Sequence, residues 1–310
     1  MTKLTLIPYR ITIISALCLC MLTGCTLETR SYMTRGTTYL EMGDTGKAIQ
    51  EFKKALEVDP RNVTAHIRLG HAYEKRGMTD QAIAQYKEAL SLNPNSANAH
   101  ASLGLAYSRK GMLKEAIAEY MKVIEKYPGL AEPYYMMGLA YGEDGDLDSA
   151  VICFKKAIKV NPEYTEAYLY LGLAYDSKGN TRGAIRAFEE VLELRPSDAV
   201  ATISLAETYM NLGLRHEQDG QLDEAILDFK KAVEINLGLI NAHMSLARVY
   251  EEKGMTQEAL SEYQQVISLD PTYADAHKKL AEALEEAELY NMAERESEIY
   301  RDLQKNARMK

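Results

Sequence analysis

Prolines recur at a fixed step of 34 residues through the middle of the chain, at positions 60, 94, 128, 162 and 196. Self-similarity at a period of this length indicates a repeat architecture, in which each unit packs mainly against its neighbours. The length of 310 residues would otherwise suggest about two globular domains. The period predicts one elongated array instead.

Each period carries the same set of residues. In one unit these are Leu69, Gly70, Tyr73, Gly77, Ala82 and Tyr86. Two other units hold Leu103, Gly104, Tyr107, Gly111, Ala116 and Tyr120, and Leu171, Gly172, Tyr175, Gly179, Ala184 and Phe188. The repeated small residues predict close approach of two helices, and the repeated aromatic residues fill the space around them.

The apolar residues of a unit follow helical spacing rather than strand alternation, as Ile83 and Tyr86 illustrate. We predict a first helix over 62–75 and a second that opens near residue 79. Gly77 can adopt the left-handed conformation that ends the first helix. The next proline ends the second helix because it cannot continue the backbone ladder.

This pattern resembles the tetratricopeptide repeat (TPR) family over residues 29–307. The resemblance implies an all-α fold, a right-handed superhelical solenoid of helix-turn-helix units. Repeats one to five occupy 29–198, and repeats six and seven occupy 206–273. A degenerate repeat with capping helices and a tail occupies 274–310.

The residues between repeats five and six, 199–205, form a seven-residue insertion. Seven residues are close to two helical turns, about 10 Å, so the first helix of repeat six is expected to start near Asp198 and project beyond its neighbours. One interpretation is a tolerated irregularity. The other is a docking knob or a joint between lobes 29–198 and 206–307.

The N-terminal residues 1–24 have the features of a targeting segment. Lys3 and Arg10 precede an apolar run, 11–22, that is short for a membrane span. The sequence Leu22-Thr23-Gly24-Cys25 then resembles the lipobox of bacterial lipoproteins. The resemblance implies cleavage before Cys25, lipidation of its thiol, and a lipidated N-terminus at 25–28.

Two alternatives to the lipoprotein signal remain, an ordinary secretory signal and an uncleaved anchor. Under the lipoprotein interpretation, Thr26 follows the cysteine. The absence of Asp at that position implies, by resemblance to enterobacterial sorting, an outer-membrane protein that faces the periplasm.

The charge of the chain argues against nucleic acid as a partner. Removing residues 1–24 lowers the basic residues from 36 to 34 against 45 acidic ones, so the formal charge changes from −9 to −11. An acidic chain without a basic cluster fits neither nucleic-acid binding nor electrostatic adhesion to anionic lipid. We expect the lipid on Cys25, and not the protein surface, to hold the chain at the membrane.

The sequence shows no catalytic constellation, and we expect no enzyme activity, cofactor or metal. Four histidines occupy one repeat position and are too far apart to converge on one ion, so we expect them to serve packing. They are His66, His100, His243 and His277. In the mature chain Cys153 is the one cysteine besides Cys25, and no base can be assigned to it.

In the TPR family the first helix of each unit lines the concave face, and this implies a groove with an apolar stripe from repeat three to repeat six. An apolar strip with polar borders suits a helical or extended peptide segment. The chaperone-type clamp, a Lys with an Asn one turn later, is missing, so capture of an acidic C-terminal tail is not expected. The predicted partner-binding groove consists of Ile67, Ala101, Leu105, Tyr135, Met136, Leu139, Leu169, Tyr170, Leu173, Met210, Leu214 and Met244.

The leading hypothesis is therefore a membrane-anchored scaffold that gathers other proteins, such as envelope-assembly or cell-wall proteins. The pattern is similar to TPR lipoproteins of the pilus-assembly and peptidoglycan-hydrolase types. Two alternatives stay open: an accessory subunit of a glycan-modifying or secretion enzyme system, and a cytosolic adaptor if the signal is false. The sequence leaves the oligomeric state open.

Overall fold

The computed structural model describes residues 27–308, in which sixteen helices and no strand are found. The predicted signal peptide and Cys25 lie outside the described residues. The helices are α1 (27–41), α2 (Thr45–Val58), α3 (Val63–Lys75), α4 (Thr79–Leu92), α5 (Ala97–Arg109), α6 (Leu113–Lys126), α7 (Ala131–Glu143), α8 (Leu147–Val160), α9 (Thr165–Ser177), α10 (Thr181–Leu194), α11 (Ala199–Gln218), α12 (Leu222–Ile235), α13 (Ile240–Glu252), α14 (Thr256–Leu269), α15 (Ala274–Glu286) and α16 (Tyr290–Arg308).

Local signals set the helix boundaries where the sequence predicts them. The Asn62 side chain accepts a hydrogen bond from the Ala65 amide, at 3.0 Å, and so caps α3. Gly77 follows α3 with a φ of +76°, a conformation that costs glycine little. The chain then enters α4 at Thr79, and α4 ends at Leu92 before the next proline.

The helices divide into two compact units, one that extends to Pro162 and one that begins at Glu163. In the first unit each helix from α2 to α8 packs against the next, and in the second unit the same holds from α9 to α16. This succession of helix pairs confirms the predicted fold class, an all-α solenoid of TPR repeats.

A glycine on the first helix of a repeat lies under an aromatic ring of the second helix. The ring of Tyr86 covers Gly70 so closely that a Cβ atom there would lie 2.4 Å from Tyr86 Cε1. Gly104 and Tyr120 repeat the arrangement at 2.7 Å. Both rings are buried. Residues at this repeated spacing in the sequence thus hold the two helices together within one repeat.

Helix α11 has 20 residues, whereas the other first helices from α3 to α15 have 13. It begins at Ala199 directly after its N-cap, Asp198. Ala201 and Leu205 are buried, and α11 packs against α10 as other consecutive helices pack. The boundary between the two compact units lies at Pro162 and Glu163.

The last helix pair, α15 and α16, keeps the packing of a repeat without all of its signature residues. Leu280, Leu284 and Ala293 are buried. Glu288 takes the place of a turn glycine with a φ of +61°, which is uncommon for a residue with a side chain. None of the helices within 27–308 has the length and apolar character required to cross a membrane.

Candidate functional site

The residues of the predicted groove all retain some solvent exposure. Ten are partly buried, and the remaining two, Tyr170 and Leu173, are 38% and 37% exposed. Six belong to the first compact unit and six to the second. The six of the first unit are Ile67, Ala101, Leu105, Tyr135, Met136 and Leu139.

Three of these residues meet in one cavity of the first unit, which we name the apolar cavity. Ala101 and Leu105 of α5 form one side, and Met136 of α7 forms the other. Val123 of α6 also contributes to the lining, which includes three polar residues, Asn98, Ser102 and Glu132. The cavity has a volume of about 290 Å³. This is space for one or two apolar side chains of a ligand rather than for a large cofactor.

The other predicted residues of the first unit lie outside the apolar cavity. The ring of Tyr135 packs against Phe154 of its own repeat, with 6.1 Å between ring centroids. Ile67 and Leu139 are partly buried. Tyr135 therefore contributes to packing within its repeat as well as to the surface.

In the second unit most predicted groove residues pack against the core. Leu169, Met210, Leu214 and Met244 contact the buried apolar cluster of this unit. Met244 also lines a cavity of about 350 Å³ together with Arg248. These four side chains therefore contribute to packing as well as to the surface.

A second cavity of the first unit, the charged cavity, lies among α1, α3 and α5. It has a volume of about 590 Å³. Its lining residues are Thr37, Leu40, Glu41, Arg68, His71, Glu74, Lys75 and Arg109. None of these eight residues is among the predicted groove residues, and Ile67 is the one predicted groove residue on α3.

Hydrogen bonds fix the floor of the charged cavity. The Tyr86 hydroxyl donates to Glu74 Oε2 at 2.7 Å, and Arg109 Nη1 donates to Glu74 Oε1 at 3.2 Å. Burial raises the pKa of Tyr86 well above its usual value, and the hydrogen bond to Glu74 adds to the shift. The phenol therefore stays protonated and acts as a donor to Glu74.

His71 connects the two cavities. Its Nε2 lies 2.9 Å from Ser102 Oγ, and Ser102 lines the apolar cavity. Its ring meets Tyr86 edge-on, with 5.6 Å between centroids. Burial lowers the pKa of His71 below its ordinary value of 6.5, so the ring is neutral near pH 7.

The four histidines at one repeat position, which the sequence assigns to packing, also make the same two hydrogen bonds in each repeat. In each case Nδ1 bonds a side chain nineteen residues later, and Nε2 bonds a backbone carbonyl six residues earlier. For His100 these partners are Glu119, at 2.5 Å, and the Pro94 carbonyl, at 2.9 Å. The ring thus joins the loop before the first helix to the second helix.

The remaining reactive groups are not grouped into a site. Within residues 27–308 no set of three or more His, Cys, Asp or Glu side chains is placed to hold a metal ion. Burial raises the pKa of the Cys153 thiol to about 11, which leaves it a poor nucleophile at neutral pH.

The paired helices and the glycine–aromatic contacts define a tetratricopeptide repeat protein. Residues 248–287 match the family model of the TPR repeat. Residues 15–244, more than half of the chain, match the model described as the Cilia and flagella-associated protein 70 C-terminal domain, and the chain belongs to that family. No curated protein matches the chain significantly.

Solved structures share the fold. The crystal structure of MamA protein is 33% identical, with a TM-score of 0.50, and the match covers 56% of this chain and 94% of MamA. MamA from Desulfovibrio magneticus RS-1 is 24% identical, with a TM-score of 0.52, over 56% of this chain and 97% of that one. The C-terminal part of a TPR protein from Cytophaga hutchinsonii is 20% identical over 80% of this chain and 99% of that one, with a TM-score of 0.66.

Proposed function

We propose that this chain is a lipid-anchored scaffold of the bacterial cell envelope that binds peptide or helical segments of other proteins in its groove. TPR proteins bind other proteins or peptides and are in general non-catalytic scaffolds. The observation that carries the proposal is the apolar cavity, because it brings together side chains that the repeat pattern assigns to the partner-binding face.

The proposed partner is a protein of envelope assembly or of the cell wall. The cavity lining contains Met136 as well as aliphatic side chains, and a flexible thioether adapts to ligands of different shape. Recognition by such a surface needs shape and apolar contact, and no bond is made or broken. The role proposed is therefore to hold a partner and not to convert a substrate.

The proposed anchor is Cys25, through acyl chains added after cleavage of residues 1–24. Residues 27–41 are helical, so the repeat array begins within two residues of the anchor and there is no long tether. On this account the first repeat lies next to the membrane, the outer membrane on its periplasmic side.

A second candidate, a cytosolic TPR adaptor, is favoured by one observation. The family match begins at residue 15, inside the proposed signal segment. In that case residues 1–24 stay on the chain and Cys25 carries no lipid.

Metabolic labelling with an alkyne fatty acid distinguishes the two candidates. We expect the full chain to be labelled and to fractionate with the membrane, and Cys25→Ala to lose the label. Cys153→Ala is the matched control and should keep it. A full chain that carries no label and remains in the soluble fraction would contradict the anchor and support the adaptor.

Partner recovery tests the groove. Leu105→Ser combined with Met136→Ser is expected to reduce the proteins recovered after cross-linking in cells, because both side chains line the apolar cavity. Met121→Ser is the control, since Met121 lies on α6 and is 55% exposed. If the cavity variant and the control recover the same proteins in equal amounts, the groove does not bind the partner.

A further inference from the structure

The apolar cavity and the charged cavity are neighbours on the same face of the first unit. Ser102 lines the apolar cavity, and its hydroxyl bonds His71, which lines the charged cavity. Leu105 and Arg109 lie one helical turn apart on α5 and line the apolar and the charged cavity, respectively. Four residues of helix correspond to about 6 Å, so one ligand segment can reach both.

Some of the charged side chains in the charged cavity are paired and others are not. Glu74 is held by the Tyr86 hydroxyl and by Arg109, and only 8% of its side chain is exposed. Arg68 and Lys75 are exposed, and within residues 27–308 neither side chain has a hydrogen-bonded acceptor. Two cations therefore remain to meet a ligand.

The balance of charge in this cavity is opposite to that of the chain. Arg68, Lys75 and Arg109 face two carboxylates, those of Glu41 and Glu74. His71 adds no charge near pH 7, because burial lowers its pKa. The whole chain, in contrast, has a formal charge of −9. A local positive excess on an acidic protein favours an anionic group of the partner at this position.

We propose that the first unit binds a partner segment that places an apolar side chain in the apolar cavity and an Asp or Glu carboxylate against Arg68 and Lys75. Along α5 the rise from Leu105 to Arg109 is about 6 Å, which two residues of extended chain span. Arg68 and Lys75 lie on the neighbouring helix α3, so the acidic residue should stand at least two positions from the apolar one. The inference rests on the proposed function, since it names the chemistry of the segment that the groove holds.

The test is selection of a random twelve-residue peptide library on the immobilised full chain. We expect enrichment of peptides with a large apolar residue and an Asp or Glu at least two positions away. Arg68→Glu combined with Lys75→Glu should replace the acidic preference with Lys or Arg and keep the apolar preference. Lys53→Glu combined with Arg61→Glu, at exposed positions away from both cavities, should select the same peptides as the unchanged chain.

A selected peptide then provides the affinity readout. Replacing its acidic residue with Gln should weaken binding to the unchanged chain about tenfold, which corresponds to about 1.4 kcal/mol, and should not weaken binding to the Arg68 and Lys75 variant. Thermal unfolding by circular dichroism establishes that each variant is folded.

The outcomes separate this inference from the proposed function. Apolar peptides without an acidic preference, or an acidic preference that persists in the Arg68 and Lys75 variant, would overturn the inference and leave groove binding intact. Enrichment of basic peptides would overturn it as well. Failure to enrich any peptide over the bare support would count against both.

Discussion

At the scale of single residues, the contact between a glycine of one helix and an aromatic ring of the next holds each repeat together. Gly104 is buried under the Tyr120 ring. Any side chain at position 104 would occupy space that the ring fills. Because the packed interior cannot expand by a methyl group without displacing its neighbours, this position depends on the absence of a side chain and not on backbone freedom.

The first prediction concerns this contact. Gly104→Ala places a Cβ atom 2.7 Å from Tyr120 Cε1, so the ring must move. We expect a loss of about 1–3 kcal/mol in the free energy of unfolding, measured by urea denaturation. Gly129→Ala is the matched control, because no atom lies within 4 Å of the added Cβ. It should change the stability by less than about 0.5 kcal/mol. Equal losses of stability from the two substitutions would show that contact with the Tyr120 ring is not what destabilises Gly104→Ala.

The second prediction concerns His71 and pH. Burial lowers its pKa below 6.5, so the unfolded chain takes up a proton at a higher pH than the folded chain does. The contribution of neutral His71 is therefore fully present above pH 6.5 and is lost as the pH falls further.

Comparison of the unchanged chain with His71→Asn isolates that contribution from the other histidines. As the pH is lowered from 7.5 to 5, we expect the free energy of unfolding of the unchanged chain to fall relative to that of His71→Asn. A difference that stays constant over this range would mean that His71 does not resist protonation in the folded state.

At the scale of helices, the local signals of the sequence determine where each element starts and stops. Helix α3 ends at Lys75 and α4 begins at Thr79, as the sequence predicts, because capping side chains and prolines act over a few residues. The histidine bridges could not be predicted in this way. His100 and Glu119 are nineteen residues apart, and only the packing of two helices brings them together.

Helix α11 gives a third prediction. The Asp198 carboxylate accepts a hydrogen bond from the Ala201 amide at 2.9 Å and satisfies one donor in the first turn of α11. Asp198→Ala should lower the free energy of unfolding by about 1 kcal/mol. Asp198→Asn keeps an acceptor at the same place and should be nearly neutral. If both variants lose the same stability, charge and not the cap bond is what matters.

The exposed side chains at the start of α11 bear on the docking hypothesis for residues 199–205. Val200 is 53% exposed and Ile203 is 47% exposed. If the insertion is a tolerated irregularity, Val200→Ser combined with Ile203→Ser should leave both stability and partner recovery unchanged. Loss of recovery by the folded variant would favour a docking role.

At the scale of the whole molecule, the repeat period predicts the architecture more completely than it predicts the site. The period requires helix pairs that share a core, and the all-α solenoid follows. It predicts the apolar residues Ala101, Leu105 and Met136 as a binding face, but it does not predict the charged cavity. Arg68 and Arg109 stand at different positions of their repeats, so no single repeated residue marks that cavity.

The central claim is that the face carrying the apolar cavity holds another protein. Its most direct test is site-specific photo-cross-linking in cells, with a photoreactive amino acid in place of Met136. The control position is Ala118, which is exposed on α6. The account predicts discrete protein adducts from position 136 that are absent from position 118. Adducts from position 118 alone, or none from position 136 in a folded and normally located chain, would contradict it.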